Sequence, residues 1–171
     1  MTESRVTEPR HPENTLAGTG ATEAGDNPLL LANQICFALY SATHAMTKAY
    51  RPLLDDLGVT YPQYLVLLLL WERDGRSVKE LGEHLSLDSG TLTPLLKRLE
   101  GQGLVSRSRD RADERSVLIH LTVQGKALHD KAECLPARIT EASGCSTADL
   151  AGLRDQILRL RNDLTAALRK T

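Results

Sequence analysis

The 171-residue sequence is poor in aromatic residues, has no long apolar run and carries little net charge. Only 4% of the residues are aromatic, so the four tyrosines cannot be routine core filler and their positions carry information. No apolar run approaches the roughly 20 residues of a membrane helix, and no signal peptide is recognisable, so we expect a cytoplasmic protein without a membrane partner. The net charge of −1 argues against binding of nucleic acid by bulk charge, so any basic surface must be local.

Cysteine pairs and metal-ligand spacings are also missing. The three cysteines, Cys36, Cys134 and Cys145, are far apart and include no C-x-x-C pair, which excludes a disulfide scaffold and a zinc knuckle. None of the five histidines pairs with a cysteine at metal-ligand spacing, and we interpret the histidines as surface or structural residues. The sequence therefore predicts neither a metal site nor a cofactor.

The stretch from Ser77 to Thr122 predicts a helix, a turn, a second helix and a hairpin, which is the pattern of a winged helix-turn-helix. Ser77 and Glu80 have the Ser-x-x-Glu spacing of a capping box, which satisfies backbone N–H groups at the start of a helix. Asp88 or Ser89 can cap the second helix. The buried stripe of this second helix is predicted to consist of Leu92, Leu95, Leu96 and Leu99.

The opposite face of the second helix carries hydroxyls and cations. Ser89, Thr93 and Lys97 are spaced four residues apart and therefore lie along one edge. Thr91 and Arg98 flank that edge. Such a face suits phosphates and base edges, so we interpret it as the surface that reads DNA.

The hairpin that follows concentrates positive charge. Gln102-Gly103 is predicted to end the second helix, and strands are expected over residues 104–109 and 115–122. The arginines at the hairpin are Arg107, Arg109, Arg111 and Arg115. A hairpin that carries guanidinium groups can lie along a DNA groove and gain affinity by neutralising phosphates. A solvated charged loop is the alternative, but the position directly after a helix-turn-helix favours DNA.

The fold class is predicted to be mainly α with a small β wing. Residues 1–27 have almost nothing apolar to bury, so we predict a disordered arm. Residues 28–171 are predicted to form one domain, in which 59–122 is the DNA-binding module and both 28–58 and 123–171 supply dimerisation helices.

Apolar periodicity outside residues 77–122 predicts four further helices. The first is expected to be long and buried, and to continue from Pro28 to Pro52. The helix after Thr60 is apolar on every side and should be the central core helix. A third, after Thr122, should break or kink at Pro136, and a last one with a near-heptad stripe follows Gly144-Cys145-Ser146. Because these stripes exceed what one winged module can cover, we expect a symmetric homodimer that reads a pseudo-palindromic site.

Several long segments resemble the MarR family of dimeric transcription regulators, and within it the organic hydroperoxide sensing repressors. The similarity covers about residues 29–168. The segments that carry it are residues 33–41, 45–54, 61–67, 87–98 and 113–115. The resemblance implies a repressor, not an enzyme, in which an organic hydroperoxide oxidises the cysteine that matches Cys36 and the dimer leaves its double-stranded operator. It also implies that Arg115 binds DNA at the wing and that Asp113 holds its guanidinium.

The chemistry of thiols agrees with a reactive Cys36, because hydrogen-bond donors such as tyrosine hydroxyls stabilise a thiolate. Tyr40 lies one helical turn after Cys36, so its ring can pack beside the thiol. Tyr50 lies about 21 Å further along the same helix and cannot reach Cys36 of its own chain. The resemblance implies that the tyrosines matching Tyr50 and Tyr61 come from the partner subunit. The alternative is an inert core cysteine, and the matched tyrosines argue against it.

A second thiol is needed if oxidation ends in a disulfide, and either a protein cysteine or a small thiol can supply it. Some members of the family have a resolving cysteine in a segment similar to Cys-Ala-Thr-Gly-Cys, which here reads Glu141-Ala142-Ser143-Gly144-Cys145 and lacks the first cysteine. Cys145 is the first candidate, because a turn beside Gly144 moves more easily than a packed helix. Cys134, in the preceding helix, is the second.

Two other functions fit parts of the same pattern. A regulator of the broader MarR type would answer a small phenolic or aromatic ligand, with Cys36 merely lining the cleft, and Cys36→Ser would then leave induction intact. A thiol peroxidase would need the reactive cysteine without a DNA-binding surface. Sustained peroxide turnover without affinity for any promoter fragment would identify the peroxidase.

Overall fold

The computed structural model describes residues 27–110, 113 and 115–169, and within them it has seven α-helices, one turn of 3-10 helix and a small antiparallel sheet. The helices are α1 (Ile35–Asp55), α2 (Tyr61–Glu72), α3 (Val78–Leu85), α4 (Ser89–Gly101), α5 (Val123–Ala132), α6 (Leu135–Ser143) and α7 (Thr147–Leu168), and the 3-10 turn (Leu31–Asn33) precedes α1. The strands are β1 (Arg76–Ser77), β2 (Val105–Arg109) and β3 (Val117–Leu121). The mainly helical class with a small β wing is confirmed. The predicted disordered arm, except Asn27, and Arg111 lie outside the described residues.

The chain divides into two compact units, one that ends at Thr43 and one that begins at His44. In the described part of the first unit, the Asn27 side chain accepts a hydrogen bond from the Leu29 N–H at 2.9 Å, and the Asn33 amide donates to the Asn27 carbonyl at 2.9 Å. These bonds fix the turn that leads into α1. Six large apolar side chains in the described part of this unit are exposed in the single chain, and they are Leu29, Leu30, Leu31, Ile35, Phe37 and Tyr40.

Helix α1 differs from its prediction in three ways. It begins at Ile35 rather than directly after Pro28, and it continues through Pro52 to Asp55. Proline costs the helix one backbone hydrogen bond, but burial of the next two residues, Leu53 and Leu54, stabilises the last turn. The expected burial of the whole helix is wrong for the single chain, since these two leucines are the only buried residues of α1. An apolar stripe in the sequence predicts a helix face that is buried, but it does not show whether the same chain or another chain buries that face.

Helix α2 is the centre of the core in the second unit, as predicted. Val66, Leu67 and Leu70 are almost completely buried, and they belong to one cluster with the buried leucines of α3 and α4. Those leucines are Leu81, Leu92, Leu96 and Leu99, while Leu95 is half-buried. Thr60 precedes the helix, and the Gln63 side chain accepts a hydrogen bond from the Thr60 N–H at 2.8 Å.

The sheet has the order β1-β3-β2, with both pairings antiparallel. Ile119 of β3 lies opposite Arg76 of β1 and Arg107 of β2, and it is buried against the helices. The predicted strands are confirmed to within two residues at each end. Strand β1 was not predicted, because two residues are too few to show a periodic pattern.

Helix α5 is anchored to the winged module by polar contacts at its first turn. The Thr122 hydroxyl accepts a hydrogen bond from the Gly125 N–H at 3.0 Å, and the Trp71 indole donates to the Gly125 carbonyl at 3.0 Å. A Cβ on Gly125 would lie 2.1 Å from the Leu104 carbonyl oxygen, so only glycine fits this approach. Glu133 and Cys134 separate α5 from α6, so the helix is interrupted two residues before the expected position at Pro136.

The last helix, α7, begins at a capping box of Ser146 and Asp149, as its sequence indicates. None of its residues is buried in the single chain. Its exposed large apolar residues are Leu153, Ile157, Leu158, Leu164 and Leu168. Among the described residues, no helix is both long enough and apolar enough to cross a membrane.

Candidate functional sites

Helix α4 is held at its start by Asp88. One carboxylate oxygen accepts a hydrogen bond from the Thr91 N–H at 2.9 Å, and the other lies 3.1 Å from the Thr91 hydroxyl. These bonds lower the pKa of Asp88, the largest contribution coming from the Thr91 backbone N–H. Of the two predicted caps, Asp88 is therefore the one used, and Ser89 becomes the first residue of the helix.

The predicted DNA-reading residues of α4 lie on its outer face. Ser89, Thr91, Lys97 and Arg98 are exposed, and Thr93 is half-buried. A groove of about 710 Å³ runs between α3, α4 and the hairpin. Its lining includes Ser89 and Thr93 from the helix together with Arg107 and Arg115 from the hairpin. The structure thus brings four of the predicted DNA-binding residues onto one concave surface.

The hairpin arginines separate into two environments. Arg107 is only 26% exposed, and its Nε lies 2.9 Å from the Glu100 carboxylate near the end of α4. Its Nε and Nη2 are shielded from solvent and make no aligned hydrogen bond within the described chain. Arg109 and Arg115 are exposed. Arg107 therefore ties the hairpin to α4, whereas the other two point their charge outward.

Asp113 shapes the tip of the hairpin. Its carboxylate accepts a hydrogen bond from the Arg115 backbone N–H at 3.1 Å, and its carbonyl accepts one from Ser116 N–H at 2.8 Å. The Asp110 N–H in turn donates to the Ser116 carbonyl at 2.9 Å. The expected contact was to the Arg115 guanidinium, and the contact found is to its backbone. Asp113 thus orients Arg115 through the main chain.

In the first unit, Cys36 and Tyr40 lie on α1, and both are exposed, Tyr40 to 62%. Their spacing of one helical turn is as predicted. The thiol of Cys36 is free in the single chain.

In the second unit, Tyr50 and Tyr61 pack together with ring centroids 5.0 Å apart. Burial raises the pKa of Tyr50 to about 12, with smaller contributions from Tyr64 and Tyr61. Burial also raises the pKa of Tyr61. Both phenols therefore stay protonated at neutral pH, which is the form that donates a hydrogen bond to an anion. Both residues are half-buried, so part of each remains exposed in the single chain.

Tyr64 extends this pair into a chain of aromatic rings. Its ring centroid lies 5.9 Å from that of Tyr50 and 6.2 Å from that of Trp71, and Trp71 packs edge-on against His129 at 5.4 Å. Tyr64 is only 3% exposed, and its pKa is raised by burial, then by Tyr61 and then by Cys134. Sequence reasoning missed Tyr64 because its position in an all-apolar helix indicates core and nothing more.

Both candidate resolving cysteines are exposed. The Cys134 thiol lies 3.7 Å from the Lys131 carbonyl, and the Cys145 thiol lies 3.6 Å from the Ser143 carbonyl. Cys134 lies close enough to Tyr64 to affect its pKa, whereas Cys145 follows Gly144 in the turn before α7.

A second cavity, of about 430 Å³, opens beside Tyr61 where α1 ends and α2 begins. One part of its lining is polar or charged and includes Lys48, Arg51, Thr60 and one acidic residue, Asp55. The other part is apolar, formed by Leu54, Val59 and Pro62. This composition suits a small molecule with one anionic and one apolar end.

Known regulators resemble this chain in sequence and in structure. Residues 48–132 match the family model described as transcriptional regulator SarA/Rot. The organic hydroperoxide resistance transcriptional regulator of Bacillus subtilis is 54% identical over 134 residues, which cover 78% of this chain and 91% of that protein. The HTH-type transcriptional regulator TtmR of Methylorubrum extorquens is 52% identical over 82% of this chain and 72% of its own length.

Among solved structures, reduced AbfR bound to DNA, from Staphylococcus epidermidis, superposes with a TM-score of 0.61 at 36% identity. The match covers 79% of this chain and 95% of that one. The identity and coverage of these relatives, together with the winged helix-turn-helix described above, settle the family. The chain belongs to the MarR family of winged-helix transcriptional regulators, in the group of organic hydroperoxide resistance regulators.

Proposed function

We propose that this chain is a dimeric, cytoplasmic repressor that binds a pseudo-palindromic DNA operator and leaves it when an organic hydroperoxide oxidises Cys36. The observation that carries the proposal is the 54% identity to a regulator of organic hydroperoxide resistance, in a chain that keeps an exposed Cys36 and two protonated, half-buried phenols. The DNA-bound state of AbfR supports double-stranded DNA as the partner.

Residues 59–122 are proposed as the DNA-binding module. Ser89, Thr91, Thr93, Lys97 and Arg98 would enter a major groove, and Arg109, Arg111 and Arg115 would reach the flanking backbone or minor groove. Arg107 contributes by fixing the hairpin on Glu100. Two such modules on one two-fold axis would read half-sites about 34–36 Å apart.

The segments 28–58 and 123–171 are proposed as the dimerisation helices. In the single chain, α1 buries only Leu53 and Leu54 and α7 buries nothing, although both have apolar stripes. Monomeric proteins rarely expose long apolar stripes of this kind, so we propose that the stripes are buried against a second copy of the chain.

The chemical step is a transfer of one oxygen atom. The thiolate of Cys36 attacks the outer oxygen of the hydroperoxide, the O–O bond breaks, and with one proton taken up the products are a sulfenic acid and an alcohol. Tyr50 and Tyr61 of the partner subunit would donate hydrogen bonds to the thiolate and so favour the reactive form. The oxidised, bulkier sulfur would no longer accept the same bonds, and the helices that set the spacing of the two modules would shift.

The sulfenic acid can then condense with a second thiol, releasing water and forming a disulfide. Cys145 and Cys134 are the two candidates within the protein, and a small thiol is the third. The proximity of Cys134 to the tyrosine cluster supports testing it with equal weight. Non-reducing electrophoresis of Cys134→Ser and Cys145→Ser proteins after oxidation would distinguish the three.

A gel shift on the DNA upstream of the chain's own gene tests the whole proposal. We expect the reduced protein to shift the fragment, cumene hydroperoxide to release it, and a thiol reductant to restore binding. Cys36→Ser should bind equally well and ignore the hydroperoxide. A Cys36→Ser protein that is still released would refute the proposal, and steady peroxide turnover without any DNA shift would indicate a thiol peroxidase instead.

The cavity beside Tyr61 favours a second candidate function, release by a small phenolic or aromatic ligand. Lys48 and Arg51 would hold an acidic group, and Leu54 and Val59 would contact the ring. In that case a phenolic carboxylate would release wild type and Cys36→Ser alike, while Arg51→Ala would be insensitive to it.

A further inference from the structure

Two glutamine side chains join the turn before Tyr61 to the end of helix α4. The Gln63 amide donates to the Gln102 side-chain oxygen at 3.1 Å, and the Gln102 amide donates to the Gly58 carbonyl at 2.7 Å. The series closes where the Thr60 N–H donates to the Gln63 side-chain oxygen at 2.8 Å. Both ends of the series therefore lie in the same turn, residues 58–60, which connects α1 to α2.

The direction of every bond in this series is fixed by the backbone. A carbonyl such as that of Gly58 can only accept, so Gln102 must present its amide N–H₂ to it and its oxygen to Gln63. Gln63 must then donate to Gln102 and present its own oxygen to the Thr60 N–H, which can only donate. Exchanging the positions of the oxygen and nitrogen in either side-chain amide would place a donor against a donor at one of its two bonds and an acceptor against an acceptor at the other. The geometry is thus a single arrangement without an equivalent alternative.

The capping role of Gln63 does not explain the hydrogen bond that its side-chain N–H₂ group makes. Only the side-chain oxygen is needed to satisfy the start of α2, and a glutamate would serve equally well. Gln63 is 4% exposed, so its N–H₂ group would be a buried donor without an acceptor if Gln102 were absent. Gln102 is the C-cap of α4, and its backbone N–H donates to the Arg98 carbonyl at 2.9 Å. The pair therefore attaches residues 58–60 to the C-terminal end of α4, the helix predicted to read DNA.

We propose that Gln63 and Gln102 are positioning residues that transmit a displacement of Tyr61 to helix α4. Tyr61 is the first residue of α2 and follows Thr60 directly, so a shift of its ring moves the turn that both glutamines hold. Since Val59 in the same turn is buried, the turn cannot move independently of the core. The displaced turn then pulls on Gln102 and thereby on the end of α4. This inference rests on the proposed function, in which Tyr61 responds to oxidation of the partner's Cys36.

The test compares operator affinity before and after oxidation in variants that break the series at one bond each. Gln63→Glu keeps the acceptor for Thr60 but removes the donor to Gln102. Gln102→Met keeps the length of the side chain and removes both of its bonds. Because Gln102 itself is exposed but the Gln63 N–H₂ group then loses its acceptor, this variant should fold with a lowered melting temperature. Gln124→Met, at another exposed glutamine close to Gly103, is the matched control.

Fluorescence anisotropy with an operator fragment gives the ratio of the oxidised to the reduced Kd, with mass spectrometry verifying that Cys36 is oxidised to the same extent in each protein. Mutations along a coupling route change such ratios by roughly 2- to 30-fold. We expect both variants to bind within about threefold of wild type when reduced, and to show a ratio lowered by that factor, while Gln124→Met keeps the wild-type ratio.

The possible results separate the relay, which is the transmission of movement from Tyr61 to α4 through Gln63 and Gln102, from the proposed function on which it rests. If wild type is released by cumene hydroperoxide and both variants are released to the same degree, the relay is wrong and the proposed function stands. If wild type is not released at all, the proposed function fails and the relay fails with it. Thermal melts of each variant identify any loss of fold, and Gln102→Met alone is sufficient for the decision if Gln63→Glu is unstable.

Discussion

Deleting single hydroxyl groups from the tyrosine cluster tests the proposed activation of Cys36. Tyr50 and Tyr61 are half-buried with their rings 5.0 Å apart, and in the proposed function either hydroxyl can reach the sulfur of the partner subunit's Cys36. Tyr64 belongs to the same cluster but is only 3% exposed, so it cannot. Phenylalanine keeps each ring and its packing. Tyr50→Phe and Tyr61→Phe should therefore slow oxidation, and Tyr64→Phe should not.

The size of the effect follows from the strength of a hydrogen bond to a charged group. Such a bond contributes about 1.5–3 kcal/mol, and 1.36 kcal/mol corresponds to one pH unit. Removal of one hydroxyl should thus move the midpoint of Cys36 alkylation upward by about 1 to 2 pH units. At a fixed pH below both midpoints, the rate should fall by about 10- to 100-fold. Operator affinity of the reduced protein should not change.

The assay is the rate of iodoacetamide labelling at Cys36 as a function of pH, followed by mass spectrometry. Because the pKa of Tyr50 is about 12, a scan that stops at about pH 10 titrates the thiol without ionising that phenol. Labelling of Cys145 in the same samples supplies an internal reference. Superimposable curves for wild type, Tyr50→Phe and Tyr61→Phe would refute the reasoning, as would an equal shift in Tyr64→Phe.

Three further predictions concern DNA binding and folding. Arg115→Ala should weaken operator binding by on the order of 1–3 kcal/mol and lower its salt dependence, and unchanged affinity in a salt titration would exclude the wing contact. The hydrogen bond from the Ser77 backbone N–H, followed by that from Arg73, lowers the pKa of Glu80 from 4.5 to about 2. This group therefore stabilises the fold above about pH 4.5, and the contribution is lost as the pH falls through about 2, so Glu80→Gln should flatten the acid limb of melting temperature against pH. Gly125→Ala should cost more than about 3 kcal/mol or prevent folding, since its Cβ would lie 2.1 Å from a carbonyl oxygen, whereas Gly152→Ala, with open space around it, should melt at or above the wild-type temperature.

Local rules predicted the winged module well. Capping residues at Ser77, Thr122 and Ser146 each start a helix where the sequence indicates one, because a cap acts through atoms within three residues of itself. The predicted end of α1 was wrong because it depends on contacts with residues far away in the sequence. Whether Pro52 ends a helix depends on how much the following residues gain from burial, and that gain comes from distant parts of the chain.

The candidate site was predictable only in part. The sequence indicates which residues of α4 form its outer face, but not that Arg107 turns back to Glu100, since that pairing depends on how the hairpin lies on the helix. Gln63 and Gln102 are 39 positions apart, and neither has a local pattern that marks it. Contacts of this kind arise from tertiary packing, which periodicity and capping rules do not contain.

The chain has one tryptophan, Trp71, and it lies at the end of the tyrosine cluster with Tyr64 6.2 Å away. Excited phenols pass their energy efficiently to an indole at such separations, so light absorbed by Tyr50, Tyr61 or Tyr64 should be emitted by Trp71. The protein consequently contains a built-in optical probe, and two of its three energy donors, Tyr50 and Tyr61, are the phenols proposed to contact the reactive sulfur. A change in tyrosine-sensitised emission upon addition of hydroperoxide would follow the rearrangement in real time without any attached dye.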